Sequence, residues 1–558
     1  MQLPLFLQKL QGLDSNTKKG SLFEKICQHL LKERDTSGEY KNIYLWQEWD
    51  KRDGADTGID LIIETKDQNY IAVQCKFHAQ PLDLKTLSTF FTKLQSGVGE
   101  VRFQKGIIIT TTTLNSNAKN ACEQISQTLP IDLITGEDFA SSSIDWDALE
   151  PTSSELPLSA KKTPREHQKQ AISNSKEYFK THSRGKLIMA CGTGKTFTSL
   201  KILESITKKT STILFLAPSI ALVSQTFREY IRERSDDFYA CIVCSDSKSG
   251  KSKAQDEFTE LPTAASTDIE DIRTSYQKAK LENKRFIIFA TYQSSMRIGQ
   301  AQQAGYLDAI DLMICDEAHR SVGAMHSATK ELNTFTLCHH DSNIQAHKRL
   351  YMTATPKIYT EASKQKAREN QNEVFCMDDE EIFGQEIYKI DFKDAIEKDL
   401  LTDYKVLILA MRKDAMAGIT NNAIKCLKDA KEPINDKLID TAFVSKIIGT
   451  HKGLARKDLI AIDDAGELDQ DFITQLDENP SKRAITFCRD IATSKSLEKS
   501  FNTIMQSYDA ELASQSFKNL QLDIHHIDGT MNALQRLEKI NILNTTTTPP
   551  PPAREPRI

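Results

Sequence analysis

"GKLIMACGTGKTFTSLKIL" (Gly185–Leu203) reads as an apolar strand, a glycine loop and a helix, in that order. In that context Gly192, Thr193 and Gly194 predict a phosphate-binding loop. Backbone N–H groups and the helix N-terminus would meet phosphate oxygens, Lys195 would reach the β and γ positions, and the Thr196 hydroxyl would hold Mg²⁺. Met189 stands where the strict pattern has its first glycine. Downstream, "DLMICDEAHR" (Asp311–Arg320) ends an apolar strand on two adjacent carboxylates. Two acids there divide the work of nucleotide hydrolysis: Asp316 holds Mg²⁺ through water, and Glu317 orients and deprotonates the attacking water. Together the two stretches predict ATP and Mg²⁺ as cofactors and an α/β core of strands covered by helices.

Outward from the loop, strand–helix alternation runs from near Arg165, so residues 163–400 are read as one domain. The polar insert "SDSKSGKSKAQDEFTELPTAASTDIED" (Ser245–Asp271) within it is read as a solvated loop. A further α/β region, residues 401–545, starts near "DYKVLILAM" and holds the expected strands "AITFC" (Ala484–Cys488) and "DIHHID" (Asp523–Asp528). Residues 546–558 are a proline-rich tail, and no internal repeat is present. Upstream, "SSSIDWDALEPTSSELPLSAKK" (Ser141–Lys162) has the Ser, Pro and acidic content of a linker. Residues 1–140 alternate differently. A helix carries Leu22, Phe23, Ile26, Leu30 and Leu31 on one face, and a second carries Leu87, Phe90, Phe91 and Leu94. The strand "GIIITTTT" (Gly106–Thr113), a helix capped by Asn115 and the strand "IDLIT" (Ile131–Thr135) follow. This order implies a mixed sheet covered on both faces.

Inside that first domain, "GIDLIIETKDQNYIAVQCKFH" (Gly58–His78) reads as a hairpin with charge in its strands. Buried charge is costly unless paired or bound to metal. With a turn at Thr65–Asn69, Glu64 pairs with Tyr70 and Asp60 falls opposite Gln74. That register gives an apolar face (Leu61, Ile63, Ile71, Val73, Cys75) and a face carrying Asp60, Gln74 and Lys76. A slip of one residue would spoil both faces. The polar set suits phosphodiester hydrolysis: Asp60 ligates Mg²⁺, the Gln74 carbonyl assists, and Lys76 positions water and stabilises developing charge. One carboxylate is thin for a hard cation, and Glu24 on the first helix is a candidate second acid.

Bulk composition narrows the class. Net charge is −5, from 72 basic and 77 acidic residues, which argues against a general polyanion sponge. The N-terminus "MQLPLFLQKL" lacks a basic n-region, and eleven scattered cysteines suit a reducing compartment, so a cytoplasmic protein is expected. Cys241 and Cys244 are read as core residues rather than a zinc half-site, and Cys338–His347 as a solvated loop.

The motor segment resembles the DEAH-type superfamily-two helicases and translocases. "TPREHQKQAI" (Thr163–Ile172) resembles the adenine-reading motif, with Arg165 and Gln168 in its informative places. "FLAPSIALVSQT" (Phe215–Thr226) and "FATYQS" (Phe289–Ser294) resemble the nucleic-acid-tracking segments of the first lobe. "YMTATP" (Tyr351–Pro356) resembles the segment coupling hydrolysis to strand movement, which implies coupling roles for His319, Thr353 and Thr355. "AITFCRD" and "HHIDGTMNALQR" resemble early motifs of the second lobe. The N-terminal domain resembles the Mrr-like branch of the PD-(D/E)xK nucleases, with glutamine in place of the usual acid. Nuclease and motor in one chain look like the N-terminal part of single-polypeptide restriction–modification enzymes. The resemblance implies an Mrr-like restriction-endonuclease fold, then a RecA-like helicase lobe, then an incomplete second RecA-like lobe. It implies foreign double-stranded DNA as substrate, and a methyltransferase and specificity component as partners. The family's Gln-x-x-Gly-Arg-x-x-Arg segment is absent, and the four successive prolines read either as a stiff polyproline stub or, the preferred reading, as a frameshift at a cytosine-rich tract. Two rival expectations stand beside this one: a silent, truncated DNA- and ATP-binding product of a switchable gene, and a repair helicase with a degenerate nuclease appendage.

Overall fold

The structure is a computed structural model. It describes most of residues 6–403, with gaps chiefly at 11–14, 55–57, 245–267, 326–333 and 366–372, and beyond that mainly residues 440–455, 483–511 and 522–528. Two compact units separate at Asp403 and Tyr404.

Among the described residues the larger unit holds three sheets, of five, seven and two strands. The first is built from α1 (Asn16–Arg34), β1 (Tyr40–Leu45), β2 (Leu61–Thr65), β3 (Tyr70–Lys76), α2 (Leu84–Ser96), β4 (Phe103–Thr110), α3 (Ser116–Ser126), β5 (Ile131–Ile134) and α4 (Gly136–Ser141). Its strand order is β1-β2-β3-β4-β5, antiparallel through β3 and parallel from there on. Side-chain oxygens of Ser15, Asp83 and Asn115 cap α1, α2 and α3, each satisfying an N–H that the first turn leaves unpaired. β1 has no counterpart in the sequence reading. Its mostly half-exposed residues give little alternation to detect.

The hairpin adopts the expected register, Leu61 with Val73 and Glu64 with Tyr70, which sets Asp60 opposite Gln74. The expected polar face is polar only at its end. Ile62 and Ala72 on that face are buried with Trp46, Trp49, Phe90 and Leu94, beneath α2. α1 covers the other face, where Phe23 packs on Phe77 with ring centroids 5.6 Å apart. Both faces of the sheet are therefore covered, as expected.

The Ser141–Lys162 segment is folded rather than free. Ile144, Trp146 and Leu149 are buried. Ile144 bridges Leu158, and the Ser143 amide donates to both oxygens of Glu33 at 3.1 Å. A few apolar anchors turn a polar stretch into a strap.

The second and third sheets and their helices comprise α5 (Glu166–Tyr178), β6 (Arg184–Met189), α6 (Lys195–Ile206), β7 (Thr212–Ala217), α7 (Ile220–Glu233), β8 (Phe238–Val243), α8 (Ile269–Leu281), β9 (Arg285–Thr291), α9 (Ser295–Gln303), β10 (Leu312–Cys315), β11 (Gly323–Met325), β12 (Arg349–Thr353), β13 (Glu373–Phe375), β14 (Gln385–Ile390) and α10 (Phe392–Glu397). Seven strands run in the order β14-β6-β12-β10-β7-β9-β8, all parallel, and β11 pairs with β13 alone. Helices on both faces explain the unbroken burial of β7, β9 and β12.

Cys241 and Cys244 fall in different core clusters and do not converge on one metal. No group of three or more His, Cys, Asp or Glu that could hold a metal occurs among the described residues. The start of the Cys338–His347 loop is a correction. Cys338 and His339 are buried, and the His339 ring stacks on Phe375 with centroids 4.9 Å apart. The neighbouring aromatic side chains supply an apolar pocket that a polar-looking sequence does not announce. Most of the insert at Ser245–Asp271 lies outside the described residues, and its last three residues begin α8.

In the smaller unit, α11 (Thr441–Ala455) and α12 (Ile491–Glu511) pack through Val444, Ile447, Phe501 and Ile504. Neither Ala484–Cys488 nor Asp523–Asp528 forms the expected strand. A parallel strand needs hydrogen-bonded neighbours, and none pairs with them among the described residues; Phe487 is 94% exposed. Residues 546–558, with their expected frameshift, lie outside the described residues. Among the described residues no helix is long and apolar enough to cross a membrane.

Candidate active sites

Strands β6, β12 and β10 are neighbours, so their carboxyl ends gather the glycine loop, Thr353 and Asp316 on one edge of the sheet. Gly192 and Gly194 both have φ of +85°, in the left-handed region that a side chain resists. A Cβ on Gly194 would lie 2.5 Å from Gln168 Nε2, and one on Gly192 2.9 Å from Leu401 Cδ2. Gln168 Nε2 donates to the Thr193 carbonyl at 3.2 Å, and its Oε1 accepts the Arg165 amide at 2.9 Å. Arg165 and Gln168 thus stand beside the loop. His167, also 3.0 Å from the Thr193 carbonyl, escaped the sequence reading although it lies in the same motif.

Lys195 opens α6 and points its Nζ at Glu317, 3.6 Å away, with Thr196 following in the same first turn. Asp316 is buried at the end of β10. Burial first and the adjacent Glu317 second push its carboxyl up to about 6. Its carbonyl accepts the Tyr292 hydroxyl at 2.8 Å, a contact foreshadowed only by the "FATYQS" segment. Glu317 itself has φ of +47°, a strained conformation for a side-chain-bearing residue. His319 Nδ1 lies 3.3 Å from Glu317 and 3.0 Å from Thr353 Oγ1, which accepts the Thr355 amide at 3.2 Å. Burial lowers the His319 pKa. The three coupling candidates therefore form one polar chain starting at Glu317.

In the other sheet, Asp60 Oδ2 accepts the Cys75 amide at 2.6 Å, between Gln74 and Lys76. Asp60 is 7% exposed and Gln74 1%. Gln74 Oε1 is buried and accepts no hydrogen bond. An orphaned amide carbonyl beside a carboxylate is a pair of hard oxygen donors, and Mg²⁺ takes such donors. The residues present therefore fit a divalent cation. Lys76 pairs with Thr110 of β4, and two residues on the Thr111 hydroxyl fixes the strand end by bonding both the amide and the carbonyl of His78, at 3.1 and 2.9 Å. Glu24 arrives from α1, which covers the opposite face. Burial raises the thiols of Cys27 and Cys75, and the charges of Asp60 and Glu24 both add to that rise. The structure thus sets Asp60, Gln74 and Lys76 on one face of the hairpin, while Glu24 acts with Asp60 on the Cys27 and Cys75 thiols from the face that α1 covers.

Comparisons with known proteins match both halves. Residues 32–156 match a family model described as "Restriction endonuclease", and residues 161–358 one described as "Type III restriction enzyme, res subunit". The structure resembles that of "ATP-dependent Type ISP restriction-modification enzyme LlaBIII bound to DNA" with TM-score 0.71 and 30% identity, over 95% of this chain and 33% of that one. The sequence is 26% identical over 338 residues to the "Type I restriction enzyme EcoAI endonuclease subunit" of Escherichia coli, covering 59% of this chain and 33% of that protein. The chain spans about a third of the length of these relatives. It carries a restriction endonuclease domain followed by a RecA-like helicase domain.

Proposed function

We propose that this chain is the nuclease and motor portion of an ATP-dependent restriction endonuclease. Translocation along double-stranded DNA by the motor would be coupled to Mg²⁺-dependent phosphodiester cleavage of foreign DNA. A methyltransferase and specificity component would choose the site. The observation that carries the reading is the buried, donor-less Gln74 carbonyl beside Asp60 and Lys76, in one compact unit with a phosphate loop.

In the motor, Lys195, 3.6 Å from Glu317, would hold the phosphates of ATP. Glu317 would orient and deprotonate the attacking water, and Thr196 and Asp316 would hold Mg²⁺, which when bound offsets phosphate charge. Arg165 and Gln168 read the adenine edge, and the His319–Thr353–Thr355 chain relays the change to the strand contacts. In the nuclease, the Asp60 carboxylate and Gln74 carbonyl would hold Mg²⁺, which when bound neutralises phosphate charge. Lys76 positions the water and faces the charge that develops on the phosphate. Glu24 supplies further negative charge from α1. The test is cleavage of unmethylated double-stranded DNA with Mg²⁺ and ATP, in wild type and in Lys76→Ala. Loss of cleavage with nucleotide binding kept is the expected result. Cleavage that survives the substitution would rule out this site.

A further inference from the structure

Asp138 of α4 sits between two arginines that belong to different sheets. Its Oδ1 accepts from Arg34 Nη1 at 2.8 Å, at the end of α1, and from Arg228 Nε at 3.0 Å, midway along α7. Its Oδ2 accepts the Thr135 amide at 3.0 Å. The Asp138 side chain is 4% exposed and each arginine 12%. Burial alone would push this carboxyl up, but Arg228 and Arg34 outweigh it and hold it below the ordinary range. A buried carboxylate is tolerated only with such partners, and it in turn lets two guanidinium groups approach each other: removing the Asp138 charge leaves two unpaired cations in the joint, while removing Arg228 leaves Asp138 paired with Arg34 alone and cuts the tie to α7.

The contact continues along the same seam. Arg234, just past α7, donates to the Glu33 and Asp35 carbonyls at 2.9 and 3.2 Å. The Phe238 amide, at the start of β8, donates to the Thr36 carbonyl at 2.7 Å, so the backbones of the two domains are joined directly. Lys284 donates to the Ser37 carbonyl. The strap is latched to the same helix, since the Lys162 amide donates to Glu233 Oε2 at 2.7 Å. α7 also bonds the phosphate-loop helix, Tyr230 Oη lying 2.8 Å from Ser199 Oγ of α6. On the nuclease side the gripped helix is α1, which carries Glu24.

We propose that Asp138 is a positioning residue that fixes the nuclease on the motor lobe as one rigid body. The cleavage site then rides with the lobe at a set offset instead of swinging on the chain between them. The consequence for cutting rests on the function proposed above; the joint itself does not.

Hydrogen–deuterium exchange on the full chain tests the joint without any activity. In Arg228→Ala and Asp138→Asn the Phe238 amide should exchange at least ~10-fold faster, while amides inside α1 and β9 keep wild-type rates and affinity for an ATP analogue is unchanged. Arg228→Lys, which keeps the charge, should restore much of the protection. An unchanged Phe238 amide in Arg228→Ala overturns the proposal. So does loss of protection throughout α1, because Asp138 would then only hold the nuclease fold. Cut positions measured from a fixed roadblock on DNA should scatter more widely in Arg228→Ala than in wild type, and an identical spread also overturns it. A wild-type chain that does not cut would count against the proposed function, and the exchange result would still decide the joint.

Discussion

The two candidate sites treat their polar groups in opposite ways. At the motor site Lys195 leans on Glu317 and His319 bridges Glu317 and Thr353, so these side chains already have partners. At the nuclease site a buried carbonyl is left with no donor. A ligand must open the first arrangement and exchange its partners. A ligand completes the second. The motor side chains should therefore hold their places without nucleotide, and the nuclease site should gain stability if Mg²⁺ binds there as proposed.

The largest expected effect separates the two sites outright. Lys76→Ala should lower Mg²⁺-dependent cleavage by ~100-fold or more, as for loss of a group that meets transition-state charge, and leave nucleotide affinity untouched. Lys195→Ala should do the reverse at the nucleotide, with binding measured by calorimetry. If either substitution damages both readouts equally, the sites are not separable.

Next in size is a pH effect confined to the motor. Asp316 is raised to about 6, so between about pH 4 and pH 6 the metal-free folded chain holds a proton that the unfolded chain releases. Its contribution to stability is present below pH 4 and is lost as pH rises through 6, a change of about 3 kcal/mol. Asp316→Asn should remove that slope, read as the difference in urea midpoint between pH 4 and pH 7. A slope unchanged by the substitution would mean that the carboxyl is not buried as described.

Smaller still, Gly194→Ala should cost about 1–2 kcal/mol, because a side chain resists this φ and the added Cβ meets Gln168. Weaker nucleotide binding should accompany it. The smallest effect probes the orphan itself. Gln74→Met should raise metal-free stability by about 1 kcal/mol, since an unsatisfied buried acceptor is removed. The same variant should lose the Mg²⁺-induced rise in melting temperature. A Gln74→Met chain that still gains stability from Mg²⁺ would show that the carbonyl is not a ligand.

Much of this was legible in the sequence where period and spacing are local. The hairpin register followed from alternation, and the phosphate loop from a strand, glycines, lysine and helix in order. What the sequence hid was set by partners far along the chain. Ile62 and Ala72 share a face with Asp60 and Gln74, so that face looked half-exposed until α2 was laid across it. Trp146 and Leu149 are two apolar anchors in a serine-rich strap, too few to move its average composition. Asp138 meets Arg34 and Arg228 across separations of 104 and 90 residues, and no local pattern signals such a pair.

A Cβ on Gly192 would meet Leu401, close to the end of the larger unit at Asp403. The bare backbone of that glycine therefore sets how closely the end of the unit can pack on the phosphate loop, and any side chain there would have to push Leu401 aside.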